Sequence, residues 1–83
     1  MLYCRKNGSG TNRLGLTVGT KVGKAVLRNR VRRRLREAYR LHEGEFRQGW
    51  DLVAVARTRA GEASYWELEA QLLKAAGKLG LLR

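Results

Sequence analysis

Two sets of side chains in this 83-residue chain have the types and spacing to do chemistry. His42, Glu43, Glu45 and Asp51 bring one imidazole and three carboxylates close together in sequence, the donor types of a metal-dependent nuclease centre. The stretch RNRVRRRLREAYR, residues 28 to 40, instead holds seven arginines, one glutamate and no lysine. The first set has a simpler structural account, because a histidine near a helix C-terminus interacts favourably with the helix dipole and the acids flank a glycine connector. No catalytic residue and no metal site are therefore assigned to the chain. Cys4 is the one cysteine, which excludes an intramolecular disulfide or a cysteine zinc site, and no histidine lies at a readable distance to activate it.

The arginines are better understood by their angles on a helix. At about 100° per residue, Leu27, Val31, Leu35, Ala38 and Tyr39 fall in one arc and Arg28, Arg32, Arg36 and Arg40 form a row beside it, with Arg30 and Arg33 carrying the charge further round. Like charges four residues apart are mildly destabilising, so a row of one sign calls for a partner outside the chain. With Lys21 and Lys24 included, nine of the eighteen basic residues lie between positions 21 and 40, against one acid. A solvated helix face normally mixes its signs. Arginine rather than lysine suits a polyanion, since the planar guanidinium grips phosphate in a bidentate way and stacks on bases. The net charge of +11 points the same way, to nucleic acid ahead of an acidic membrane surface.

The elements that must position this row follow from periodicity. Residues 1 to 6 suit a short strand, and NGSGTN (7–12) is dense in turn formers. In RLGLTVG (13–19), Leu14, Leu16 and Val18 alternate with Arg13, Gly15, Thr17 and Gly19, so the first two strands are expected to form an antiparallel hairpin. The period then changes, and a helix is predicted from Ala25 to about His42, some 27 Å long at about 1.5 Å per residue. Gly44 and Gly49 bracket a connector. WDLVAVAR (50–57) is a continuous apolar run suited to a strand covered on both faces. Ser64 and Glu67 make a capping box ahead of a second helix with Tyr65, Leu68, Leu72, Ala75, Ala76 and Leu79 on its apolar stripe. Trp50 and Trp66, at a strand edge and in a first helical turn, are assigned to the core rather than to base stacking. The order is β-β-α-β-α in one domain, residues 1–83, and no stretch reaches the roughly 20 apolar residues of a membrane span. A soluble, cytoplasmic protein is expected.

The run VGKAVLRNRVRRRLREAYR (22–40), with Arg28, Asn29, Arg30, Arg33, Arg36 and Glu37 at their spacings, resembles the signature of the bacterial ribonuclease P protein component, and the flanking strands and closing helix extend the resemblance over nearly the whole chain. The resemblance implies an α/β (α+β) two-layer sandwich, a small sheet packed by helices, with the arginine helix as a left-handed crossover between parallel strands, against the general right-handed preference. It implies a protein subunit that binds the catalytic RNA subunit and the 5′ leader of precursor tRNA and assists endonucleolytic leader removal, the chemistry and its magnesium belonging to the RNA. Lys21, Lys24, Arg28, Asn29, Arg30, Arg32, Arg33, Arg36 and Arg40 are then the expected RNA-binding residues, and Tyr3 the leader contact, with Leu2 and Cys4 facing inward. The family's loop between its first two strands can carry metal-attracting carboxylates; NGSGTN has none. Members begin with a helix ahead of the first strand, which this chain is expected to lack. No cofactor, membrane or obligate protein partner is expected. The same charge would also serve a structural RNA-binding protein of ribosomal or RNA-chaperone type, and a membrane-active basic helix would require the apolar arc to be exposed.

Overall fold

The computed structural model describes residues 2–83, without the side chains of Thr58 and Arg59. Strands β1 (Leu2–Lys6), β2 (Arg13–Val18) and β3 (Trp50–Ala56) and helices α1 (Ala25–His42) and α2 (Tyr65–Lys78) appear in the expected order, joined by short 3-10 turns. The first strand was expected from residue 1; Met1 lies outside the described residues, and β1 is described from Leu2.

The strand order corrects the expected hairpin. The sheet runs β1-β3-β2, with β1 antiparallel and β2 parallel to β3. The most apolar run takes the centre, where both its backbone edges are paired, and the more polar β1 and β2 become the edges. The 7–12 segment therefore crosses the end of β3 instead of turning a hairpin, and its asparagines tie it there. Asn7 donates its backbone N–H to Gly49 O at 3.0 Å and its side-chain amide to Thr11 O and Asp51 Oδ1, both at 3.0 Å. Asn12 Oδ1 accepts from Trp50 N at 2.9 Å, while its amide donates to Arg47 O at 2.9 Å and Tyr39 Oη at 3.2 Å. Gly49 has φ +93°, and a Cβ there would stand 2.9 Å from Ser9 O, so this crossing needs glycine.

Nor is β3 covered on both faces. Leu52, Ala54 and Ala56 are buried, but Val53 is 38% exposed. Both helices lie on one face: Ala38 and Tyr39 of α1 and Leu72 and Ala76 of α2 share a core with Leu2, Leu52 and Ala54, and Val31, Leu35 and Leu68 share another with Val18 and Ala56. The opposite face of this two-layer α+β sandwich stays open. The apolar arc of α1 is thus used up in packing, which removes the membrane reading's condition. In α2 the cap forms as expected, Ser64 Oγ accepting from Glu67 N at 3.2 Å. Leu79, assigned to the apolar stripe, is the C-cap and is exposed.

Two core residues carried no periodic signal. Phe46, fully buried, meets Tyr39 edge-on at 5.0 Å between ring centres. Leu81, also buried, sits in a C-terminal tail that pairs with the Phe46 segment through Arg47 N to Leu81 O at 2.6 Å and Arg83 N to Glu45 O at 2.8 Å. Asn12 joins the β2 start, the β3 start and α1, so Asn12→Ala should destabilise the chain by about 1–3 kcal/mol, the cost of stranding sheltered partners. Urea unfolding measures this, and an unchanged midpoint would refute the role.

Candidate nucleic-acid interface

The charge row is held out by what lies beneath it. Val31, Leu35, Ala38 and Tyr39 fix one side of α1 to the core, which turns the arginine row outward. At the N-terminal end Gly23 has φ +145°, and a Cβ there would lie 2.6 Å from Leu27 Cδ2; one at Gly61 would lie 2.8 Å from the same atom. Leu27 is thus slotted between two glycines, which fixes how α1 starts, with Lys21 and Lys24 exposed beside it. No side chain caps this terminus and its first turn holds no acid, so the positive end of the helix dipole adds to the cationic surface.

Arg30, Arg33, Arg36, Arg40 and Asn29 are exposed, and Arg28 and Arg32 are half-buried. Arg32 donates to Asn29 Oδ1 at 3.2 Å. The Arg28 Nε is sheltered from water and has no partner among the described residues. Arg5, Arg13 and His42 form ion pairs, and among the described residues no arginine of α1 does. Arg34 is the exception to the pattern, for it donates to Ala63 O at 2.9 Å and ties α1 to the start of α2. Composition alone could not separate it from its neighbours.

A second surface lies on the open sheet face. Tyr3 stands across from Val53, which stands across from Gly15, so the three form one row over all three strands. Tyr3 is 54% exposed, while Leu2 is buried and Cys4 half-buried on the other side, as alternation requires. The next row is Arg5, Asp51 and Arg13. Asp51 Oδ1 takes Arg13 Nε at 3.1 Å, and Oδ2 lies 3.9 Å from Arg5. The hydrogen bond from Asn7, helped by the two guanidiniums, holds the Asp51 carboxyl below its ordinary range.

The four acid–base candidates do not form one centre. Asp51 faces outward from the sheet, while His42 ends α1 on the other side and bridges Glu45 through Nδ1 and Glu69 through Nε2, the latter at 3.1 Å. Tyr65 also donates to Glu69, at 3.3 Å. Among the described residues no three histidine, cysteine or acidic side chains are placed to hold a metal. Glu69, a full helix away in sequence, was not legible as the partner of His42. Of the two tryptophans assigned to the core, Trp50 packs there in part, with Lys6 Nζ 5.8 Å from its ring. Trp66 is 72% exposed and edge-on to Tyr65 at 5.2 Å, because the inward positions of that turn go to Tyr65 and Leu68.

A family model described as Ribonuclease P matches residues 1–80. The ribonuclease P protein component of Alkaliphilus oremlandii is 44% identical over 82 residues, which take in 99% of this chain and 72% of the relative. That of Clostridium botulinum is 43% identical, over 98% of this chain and 74% of the relative. Among solved structures, the Staphylococcus aureus RNase P protein superposes with a TM-score of 0.88 at 26% identity, covering 99% of this chain and 75% of that one. The Thermotoga maritima RNase P protein, in complex with 1-(4-fluorophenyl)-2-thiourea, gives 0.82 at 35% identity over 89% and 73%.

The His42 bridge makes a pH-dependent contribution to the fold. Hydrogen bonds to Glu45 and then Glu69 raise the His42 pKa above its usual 6.5. The stabilisation is fully present below pH 6.5 and is lost as pH rises through the raised value, where the ring gives up one of its two donors. Stability should therefore decline above pH 6.5 in the parent and stay flatter in His42→Gln. Parallel pH-dependent curves in urea titrations of the two proteins would exclude the bridge.

Proposed function

The chain belongs to the ribonuclease P protein family, and from that premise we propose that its two surfaces divide the work of the tRNA 5′ processing subunit, α1 docking on the catalytic RNA and the open sheet face receiving the leader of precursor tRNA. The observation that carries this is the α1 arginine row with no ion pair among the described residues. An exposed helix that repels itself and draws no counter-charge from its own fold has the electrostatics of a surface completed by phosphates.

The sheet face suits a single strand for a different reason. Tyr3 offers a ring for stacking, Val53 extends the apolar ground beside it, and Gly15 leaves the row low where a base must lie flat. Arg5 and Arg13 sit one row away, where the backbone of a stacked strand would pass. Asp51 pairs with both guanidiniums and so holds them near the sheet. In this reading the subunit acts in the cytoplasm and contributes no reacting group. His42 and Asp51 are committed to structural partners, so bond cleavage and the magnesium it needs are left to the RNA. The protein screens phosphate repulsion and positions the leader.

Two measurements on the reconstituted enzyme test the division. Arg28→Ala, Arg30→Ala and Arg33→Ala together should flatten the log–log salt dependence of assembly with ribonuclease P RNA by about 2–3, near 0.9 per lost phosphate contact. An unchanged slope would sink the docking assignment. Tyr3→Ala should weaken binding of precursor tRNA by about 1–3 kcal/mol, the range of one stacked base, and leave mature tRNA, which has no leader, nearly unaffected. Equal losses for both forms would show that the sheet face does not hold the leader.

A further inference from the structure

The exposed edge of β2 and the C-terminal half of α1 enclose a recess of about 380 Å³, lined by Leu14, Arg36, Tyr39, Arg40 and Glu43. Its floor is apolar: Leu14 is half-buried, and the Tyr39 ring is buried with its hydroxyl held by Asn12 Nδ2 at 3.2 Å. Arg36 and Arg40, one turn apart, are exposed at its side, and their side chains make no hydrogen bond or ion pair among the described residues. Glu43, one turn beyond Tyr39, is exposed at the end.

This combination is selective. A bare phosphate would satisfy the guanidiniums but has no use for an aliphatic and aromatic floor, and Glu43 would repel it. A nucleotide matches every part. Its base can lie on the floor with a guanidinium plane against it, its phosphate can take the other guanidinium, and a base amino group can donate to the Glu43 carboxylate. Cytosine, adenine and guanine can donate through such an amino group, whereas uracil can donate only through N3–H, which is flanked by two carbonyl oxygens that the carboxylate repels. We propose that the recess binds one unpaired, amino-bearing nucleotide of an RNA partner. It lies at the edge of the sheet, apart from the open face carrying Tyr3. The inference rests on the RNA-docking role of α1 and adds a base-reading site to it.

The test uses the full chain, isotopically labelled, titrated with oligocytidylate and oligouridylate hexamers of RNA at one salt concentration. The Leu14 methyl resonances should shift on saturation with oligocytidylate, which should bind about tenfold more tightly than oligouridylate, the size of one hydrogen bond to a charged group. Glu43→Gln, whose amide oxygen accepts the same bond without the charge, should reduce that ratio. Arg36→Ala with Arg40→Ala should weaken both oligomers. All three substitutions are at exposed positions, so folding is kept. Unmoved Leu14 methyls at saturation, a base ratio unchanged by Glu43→Gln, or the same shifts produced by inorganic phosphate would each overturn the proposal. Assembly with ribonuclease P RNA, measured beside these titrations, separates the two claims. A silent recess with normal assembly removes the base site alone, whereas failed assembly removes the docking role of α1.

Discussion

The rest of this structure depends on holding a strongly basic helix, with Glu37 its one acid, against the core while its arginines make no ion pair among the described residues. Seven arginines between residues 28 and 40 repel one another along α1, and the repulsion is offset by packing on the other side of the same helix. Val31, Leu35, Ala38 and Tyr39 bind that side to both core clusters. The Leu27 slot fixes the start, the Arg34 bond to Ala63 fixes the middle, and the His42 bridge to Glu45 and Glu69 fixes the end. Each anchor uses the inward or flanking side, so the outward arginines take no part in holding the helix.

The sheet serves this arrangement. Because β2 and β3 are parallel neighbours, the chain must cross between their opposite ends, and α1 is the crossover. Pairing β1 on the far side of β3 gives the central strand two partners while keeping the second helix beside the first. One face is consequently filled by helices, and the other keeps Tyr3, Val53 and Gly15 in an open row. A basic helix and an open sheet row with an exposed tyrosine thus lie in one small fold without sharing side chains.

Much of this was legible in the sequence, because the features concerned are local. The bounds of α1, the capping of α2 by Ser64 and the outward placement of Tyr3 each follow from periodicity or a few neighbouring residues. Strand order does not. Alternation in RLGLTV tells which side chains share a face but not which strand lies alongside, and the asparagines that send residues 7–12 across β3 act through partners at Gly49, Trp50 and Asp51. Phe46 and Leu81 lie in connector and tail, where no repeat marks burial. Glu69 and Ala63 become partners of His42 and Arg34 only when α2 lies against α1. The site was therefore readable as composition on one helix, while the residues that aim it were not.

In the proposed role, the outward charge of α1 costs stability in the free chain and is retained for RNA. Arg30→Gln with Arg33→Gln measures both sides at once, through unfolding of the free protein at low salt and assembly with ribonuclease P RNA. Unfolding free energy should rise slightly, by a few tenths of a kcal/mol for each relieved like-charge pair, while assembly weakens and loses salt sensitivity. A variant that is less stable when free and assembles as the parent does would contradict the account.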